Sequence, residues 1–199
     1  GLYASLNFDS SINILVLNKN KKDVSNSSLA QGGVAAVLDF TDDSFELHYK
    51  DTMIAGGQKN NPEAVKTLVT EGPDDVRNLM KMGFDYDKNP DGTPMKTLEG
   101  GHSRHRIVHH KDTTGRDIIR TLLAQVETKP NITLCENTMV SNINREPNGF
   151  RLDLIINGSE HTCVFASFVI LASGGIGRVY KYTTNPVVAT GDGIRLAYE

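Results

Sequence analysis

Tryptophan is missing from this sequence, cysteine nearly so, and neither sign of charge dominates. Each shortage excludes something. The two cysteines, Cys135 and Cys163, lie far apart and in neither metal-binding nor redox spacing, so nothing points to a disulfide-stapled secreted scaffold. Both sit in apolar, strand-like runs and are expected as buried free thiols. A formal net charge of -3 leaves no basic surface of the kind a nucleic-acid backbone requires. The short cluster Lys19-Asn20-Lys21-Lys22 runs directly into Asp23 and reads as a solvated loop. No run of about 18 apolar residues occurs, so no membrane span is expected. Gly1-Leu2-Tyr3-Ala4 carries no charged n-region of a signal peptide, and a cytoplasmic protein is expected.

What remains is ordinary globular material. The chain has 199 residues, 38% of them hydrophobic and 23% charged, enough for one domain or one and a half. Residues 1–8 read as a short helix, and 12–17 as a strand rich in branched residues. Residues 42–55 read as a helix with Asp42 or Asp43 as its N-cap and Gly56-Gly57 closing it. Asn61-Pro62 starts another, whose apolar stripe runs to about Met82, with Gly72-Pro73 predicting a kink or a break into two helices. Residues 87–101 read as loop, and 115–127 as a helix capped by Thr113 or Thr114. The second half is β-rich: 132–135, 138–140, and a hairpin from 150–156 to 161–165 across the tight turn Asn157-Gly158. Residues 168–172 are continuously apolar, as a strand buried on both faces of a parallel sheet would be. Gly191-Asp192-Gly193 opens a last helix over 194–199.

Three stretches carry candidate chemistry. The first is Ser27-Ser28-Leu29-Ala30-Gln31-Gly32-Gly33-Val34-Ala35-Ala36, which follows the strand ending at Leu17. It offers hydroxyls, an amide and two glycines with little bulk. Such a chain can lie flat against a large polar ligand, or it is an ordinary Gly-rich turn. The second is Ser173-Gly174-Gly175-Ile176-Gly177, again a Gly-rich loop after an apolar run. Ligands of open α/β sheets bind at the carboxyl ends of strands, so two such loops could hold one dinucleotide. Asp192 either caps the last helix or accepts a hydrogen bond from a ligand hydroxyl. The third is the polar patch Glu99-Gly100-Gly101-His102-Ser103-Arg104-His105-Arg106, continued by His109-His110. It matches no metal-ligand spacing. A solvated loop and a site for substrate carboxylates or proton transfer both remain open.

In these stretches the chain resembles the succinate dehydrogenase, fumarate reductase and L-aspartate oxidase flavoprotein superfamily. The resemblance lies in residues 28–36, Ala172-Ser173-Gly174-Gly175, and Thr183-Thr184-Asn185-Pro186 through Gly191-Asp192-Gly193. Glu99-Gly100-Gly101-His102-Ser103, Arg106-Ile107-Val108-His109 and Asp112-Thr113-Thr114-Gly115-Arg116 resemble the aspartate oxidase branch most closely. The resemblance implies an α/β fold: a Rossmann-like FAD-binding domain of the glutathione-reductase type, with a central parallel sheet, an inserted helical segment and a small antiparallel β-meander. The core is expected over 1–41 and 130–199, and the mainly helical insertion over 42–129. It also implies FAD contacts at Gly1, Lys19, Asn26, Ser27, Ser28, Leu29, Ala30, Gln31, Gly32, Gly33, Ser173, Gly174 and Asp192. Where membrane-complex members carry a flavin-linked histidine, this chain has Asn26, so FAD is expected to be held non-covalently.

The implied reaction is oxidation of L-aspartate to iminosuccinate, with oxygen or fumarate as electron acceptor and the product passing to quinolinate synthase in NAD biosynthesis. Glu99 is expected to orient the substrate, and His102 and Ser103 to line its pocket. A carboxylate facing a dicarboxylate makes physical sense only if the substrate also carries an ammonium. The chain is expected to be incomplete: it starts at the counterpart of the last glycine of the family's pyrophosphate turn, without the first strand, and stops before the capping and C-terminal helical domains. It is therefore expected to be inactive alone, to hold FAD weakly, and to associate, as a homo-oligomer or by domain exchange, through unpaired sheet edges. A succinate dehydrogenase or fumarate reductase-type flavoprotein and a non-catalytic FAD-binding module are the alternatives.

Overall fold

The fold is that of a computed structural model describing all of Gly1–Glu199. Helix α1 (Leu2–Leu6) leads into strand β1 (Ile14–Leu17). A 3-10 turn (Ser27–Leu29) then precedes the short strand β2 (Val34–Ala35). Helix α2 (Phe45–Ala55) is capped by Ser44, whose hydroxyl accepts from the Leu47 N–H at 3.2 Å. Neither Asp42 nor Asp43 is the cap. The Asp43 carboxylate instead takes a guanidinium, a stronger partner than an amide at a helix end.

Helix α3 (Pro62–Lys81) starts as expected, with the Asn61 side chain accepting from the N–H groups of Glu63 and Ala64. It does not break at Gly72-Pro73. Pro73 stands inside one continuous helix and lies buried in the same stripe as Val65, Val69 and Val76. Burial of that stripe outweighs the one backbone bond a proline removes. The loop expected over 87–101 contains strand β3 (Lys96–Thr97), which pairs antiparallel with β4 (Ile107–Val108). Strand β4 also pairs with β2, giving the order β2-β4-β3. Two-residue strands carry too little periodicity to be visible in sequence. Ala36, Val76, Phe84 and Val108 form the core around this small sheet.

Helix α4 (Thr114–Glu127) follows, then β5 (Ile132–Cys135), which lies parallel to β1 in register from Ile14 opposite Ile132 to Leu17 opposite Cys135. Strands β6 (Thr138–Glu146), β7 (Gly149–Ile156) and β8 (Glu160–Ala166) form an antiparallel meander. Asn157 and Gly158 join β7 to β8 with φ of 51° and 77°, the doubly positive geometry of the tightest hairpin turns. Cys163 stands exposed on β8 and not buried, because the outer strand has a neighbour on one side only. Residues 168–172 are not a strand. No ladder forms beside them, and Phe168 is 88% exposed. An apolar run becomes a buried strand only where a second strand supplies the hydrogen bonds. Helix α5 (Asp192–Tyr198) closes the chain, starting two residues earlier than expected.

By contacts the chain divides into two compact units: Gly1–Ser28 with Leu122–Glu199, and Leu29–Thr121. The parallel pair β1-β5, the meander and α5 belong to the first. The sheet β2-β4-β3 with α2 and α3 belongs to the second.

Candidate functional site

In the unit Leu29–Thr121, the polar patch is organised by one residue. Arg106, adjoining β4, is 0% exposed. Its Nε and one terminal nitrogen form a fork onto Asp43, at 2.8 and 2.6 Å. Its other terminal nitrogen donates to Asp51 Oδ2 at 2.6 Å and touches His102 Nδ1 at 3.1 Å. A guanidinium buried this fully needs such partners, and two carboxylates with planar geometry supply them. Asp43 immediately precedes the cap of α2 and Asp51 lies on α2, so the arginine ties two points of one helix to the strand and loop around it.

Asp51 Oδ2 also accepts from the Ser103 backbone N–H and from the Ser103 hydroxyl, each at 2.8 Å. Burial pushes the Asp51 carboxyl up, but the bonds from Ser103 and Arg106 outweigh it and hold the pKa down at about 2. His48, also on α2, packs its ring 5.6 Å from that of His102. Burial, then the Arg106 charge, lowers its pKa to about 4, and its Nδ1 has no hydrogen-bond partner. Gly101 of the loop sits over Ala55 at the end of α2, where a Cβ on the glycine would meet that side chain at 3.6 Å.

The same unit brings two of the expected motifs together. Glu99 stands exposed above Gly32, and a Cβ on that glycine would lie 3.2 Å from the carboxylate. Gly33 is held for another reason. Its Cβ would fall 2.4 Å from Ile107 and 2.5 Å from the Val108 carbonyl oxygen. The run Leu29–Gly32 is exposed and presents backbone and the Gln31 amide.

In the unit of Gly1–Ser28 with Leu122–Glu199, Gly1 lies against Ala172, and Lys19 and Ser173 both meet the start of α5. A Cβ on Gly1 would touch Ala172 at 3.4 Å, and one on Gly193 would collide with the Ser173 hydroxyl at 1.9 Å. The Lys19 ammonium donates to Asp192 at 2.5 Å and to Thr190 at 2.6 Å. Asp192 does not cap α5. Gly191 holds the cap position in the left-handed region without a side-chain bond, and the Asp192 carboxylate is held by Lys19 and Thr190. Burial raises the Asp192 pKa, yet these bonds keep it below the ordinary value. Gly174 adopts φ of 76° with open space where a side chain would be. Ser28 is bonded into its own turn through Ser25, while Asn26 and Ser27 are exposed.

Asp43, His48 and Asp51 escape the sequence reading as site residues, and Arg106, read there as part of the polar patch, proves to be its buried centre. One signal was available: Ser44, His48 and Asp51 recur at helical spacing, a polar stripe on α2 where an apolar one is usual. A polar stripe is also what a solvated face looks like, so only the buried arginine distinguishes the two.

In the unit of Gly1–Ser28 with Leu122–Glu199, the residues fit a phosphate- and hydroxyl-bearing cofactor by their chemistry: an open Gly174-Gly175 turn, exposed Asn26 and Ser27, and the Lys19–Asp192 pair. The family described as "FAD binding domain" matches residues 1–199. The chain is 40% identical over 191 residues to the chloroplastic L-aspartate oxidase of Arabidopsis thaliana, covering 93% of this chain and 29% of that protein. It is 38% identical over 198 residues to the L-aspartate oxidase of Clostridium acetobutylicum, covering 99% of this chain and 45% of that one. Among solved structures it is similar to E. coli quinol fumarate reductase FrdA, with a TM-score of 0.91 and 28% identity over 98% of this chain and 34% of that one. The chain thus spans less than half the length of these relatives.

Proposed function

Because the chain belongs to the FAD binding domain family over its whole length, we propose that it is the cofactor-binding part of an enzyme that oxidises L-aspartate to iminosuccinate. FAD, when bound, would supply the redox chemistry as a two-electron acceptor for the Cα–H bond, with oxygen or fumarate as the final acceptor. Lys19, residues 26–33, Ser173, Gly174, Asp192 and Gly1 hold it, and Asn26 leaves it without a covalent link. Glu99, with His102 and Ser103, meets the substrate. The product feeds quinolinate synthase and NAD biosynthesis. The compartment assigned is the cytoplasm, which the two free cysteines fit. No helix is long and apolar enough to cross a membrane.

One observation carries this reading: the Glu99 carboxylate stands against Gly32 of the glycine-rich run. There it repels a bare dicarboxylate and attracts an ammonium. The test is Glu99→Gln in the full-length, FAD-loaded protein, comparing aspartate oxidation with turnover of succinate and fumarate. Aspartate kcat/KM is expected to fall by about 10- to 100-fold, the value of one charge-assisted hydrogen bond, while the dicarboxylates lose nothing. An unchanged preference overturns it. The similarity to quinol fumarate reductase FrdA favours a second reading, reduction of fumarate, for which the same variant leaves fumarate turnover as the main activity.

A further inference from the structure

The Ser103 N–H and hydroxyl and one Arg106 nitrogen all converge on a single oxygen of Asp51. The same Arg106 nitrogen touches His102 Nδ1 at 3.1 Å. A guanidinium can only donate, so Nδ1 accepts and the ring proton sits on Nε2. The Ser103 hydroxyl spends its proton on Asp51, so its oxygen is left as an acceptor. The polarity of Ser103 is therefore set by a carboxylate on α2 that lies 52 positions earlier in the chain, and that of His102 by the guanidinium which the same carboxylate holds.

We propose that Asp51, acting with Arg106, is a positioning residue that presents His102 as an Nε2–H donor and Ser103 as an oxygen acceptor, matched to a carboxylate and an ammonium of one amino diacid. This deepens the reading of Glu99 as the ammonium partner and rests on it. Arg106 is itself anchored by the fork onto Asp43, so the device is rigid where it meets α2 and presents its polar atoms on the loop. Gly100 has open space around it and Gly101 takes φ of 86°, which lets the chain turn sharply between Glu99 and the clamped pair. Asp51 touches no substrate in this arrangement. It acts by holding Ser103 and, through Arg106, His102.

The test uses the full-length, FAD-loaded protein with Asp51→Asn, Asp51→Glu and Ser103→Ala. Succinate binding is read from the flavin absorbance change, and the His102 tautomer from its ring nitrogen chemical shifts. For Asp51→Asn, succinate Kd and aspartate KM are expected to rise about tenfold, with kcat and FAD content changed little, and the Nε2–H signature is expected to be lost. Asp51→Glu restores part of both. Ser103→Ala weakens aspartate more than succinate, because only aspartate carries the ammonium. Unchanged succinate affinity and tautomer in Asp51→Asn overturn the inference. So does a loss of FAD in step with affinity in both Asp51→Asn and Ser103→Ala, which marks a merely structural clamp. If the unmodified protein binds succinate but not aspartate, the functional reading fails. The His102 signature in Asp51→Asn then still reports on the clamp separately.

Discussion

Arg106 is the residue on which most of the second unit's polar chemistry converges, and its energetics follow from burial. A buried guanidinium keeps the folded state only while its carboxylates stay paired, and leaving such a charge uncompensated costs about 3–5 kcal/mol. His48 suffers from the same neighbourhood. Burial and the Arg106 charge keep its ring neutral, with a folded pKa of about 4 against 6.5 when unfolded. A lowered histidine pKa means that the unfolded chain takes up a proton the folded chain refuses. Its contribution to stability is therefore complete above pH 6.5 and drains away as pH falls from 6.5 towards 4. Calorimetric melting from pH 7 to pH 4 is expected to show a steeper fall in Tm for the unmodified protein than for His48→Gln. Parallel curves contradict the assignment.

Elements differ in how much of their identity was legible in sequence. Helix α3 announced its start through Asn61 and Pro62, because capping is local chemistry. Its continuity through Pro73 was not legible, since it depends on what the helix packs against. Strand β5 and the Asn157-Gly158 turn lay where their residues pointed. Residues 168–172 had the composition of a buried strand but formed none. Two glycines separate local from tertiary demands. Gly33 lies against the β4 backbone, so Gly33→Ala is expected to cost about 1–3 kcal/mol by overpacking. Gly72, inside α3, has open space beyond its chain neighbours, but the Pro73 ring crowds a Cβ on the helical residue before it. This offsets the usual gain of about 0.5–1 kcal/mol, and Gly72→Ala is expected to change stability little. The denaturant midpoint is expected to fall clearly for Gly33→Ala and to stay near that of the unmodified protein for Gly72→Ala; equal shifts refute the contrast.

At the scale of the whole molecule, the chain has the α/β FAD-binding fold expected of it, in two compact units. In the unit that contains the meander, Phe168, Ile170, Leu171, Val179, Tyr180 and Tyr182 are all exposed. So much apolar surface close together in sequence favours association over a solvated monomer. Light scattering of the 199-residue chain is expected to give a mass that rises with concentration, and Phe168→Ser with Ile170→Ser is expected to lower it. A constant monomer mass for both counts against the expectation.

The sequence by itself determined the glycine-rich runs, the start of α3 and the Asn157-Gly158 turn, because backbone preference, capping and turn chemistry act over a few residues, and its family resemblance carried the fold class. The tertiary structure decided that Asp43 binds Arg106 instead of capping α2, that Asp192 pairs with Lys19, and that Asp51 accepts from Ser103 and Arg106. Each of these joins residues tens of positions apart or more. Their partnership is written in desolvation and geometry, which no local pattern contains. The arginine of the polar patch acquired its meaning only by being buried.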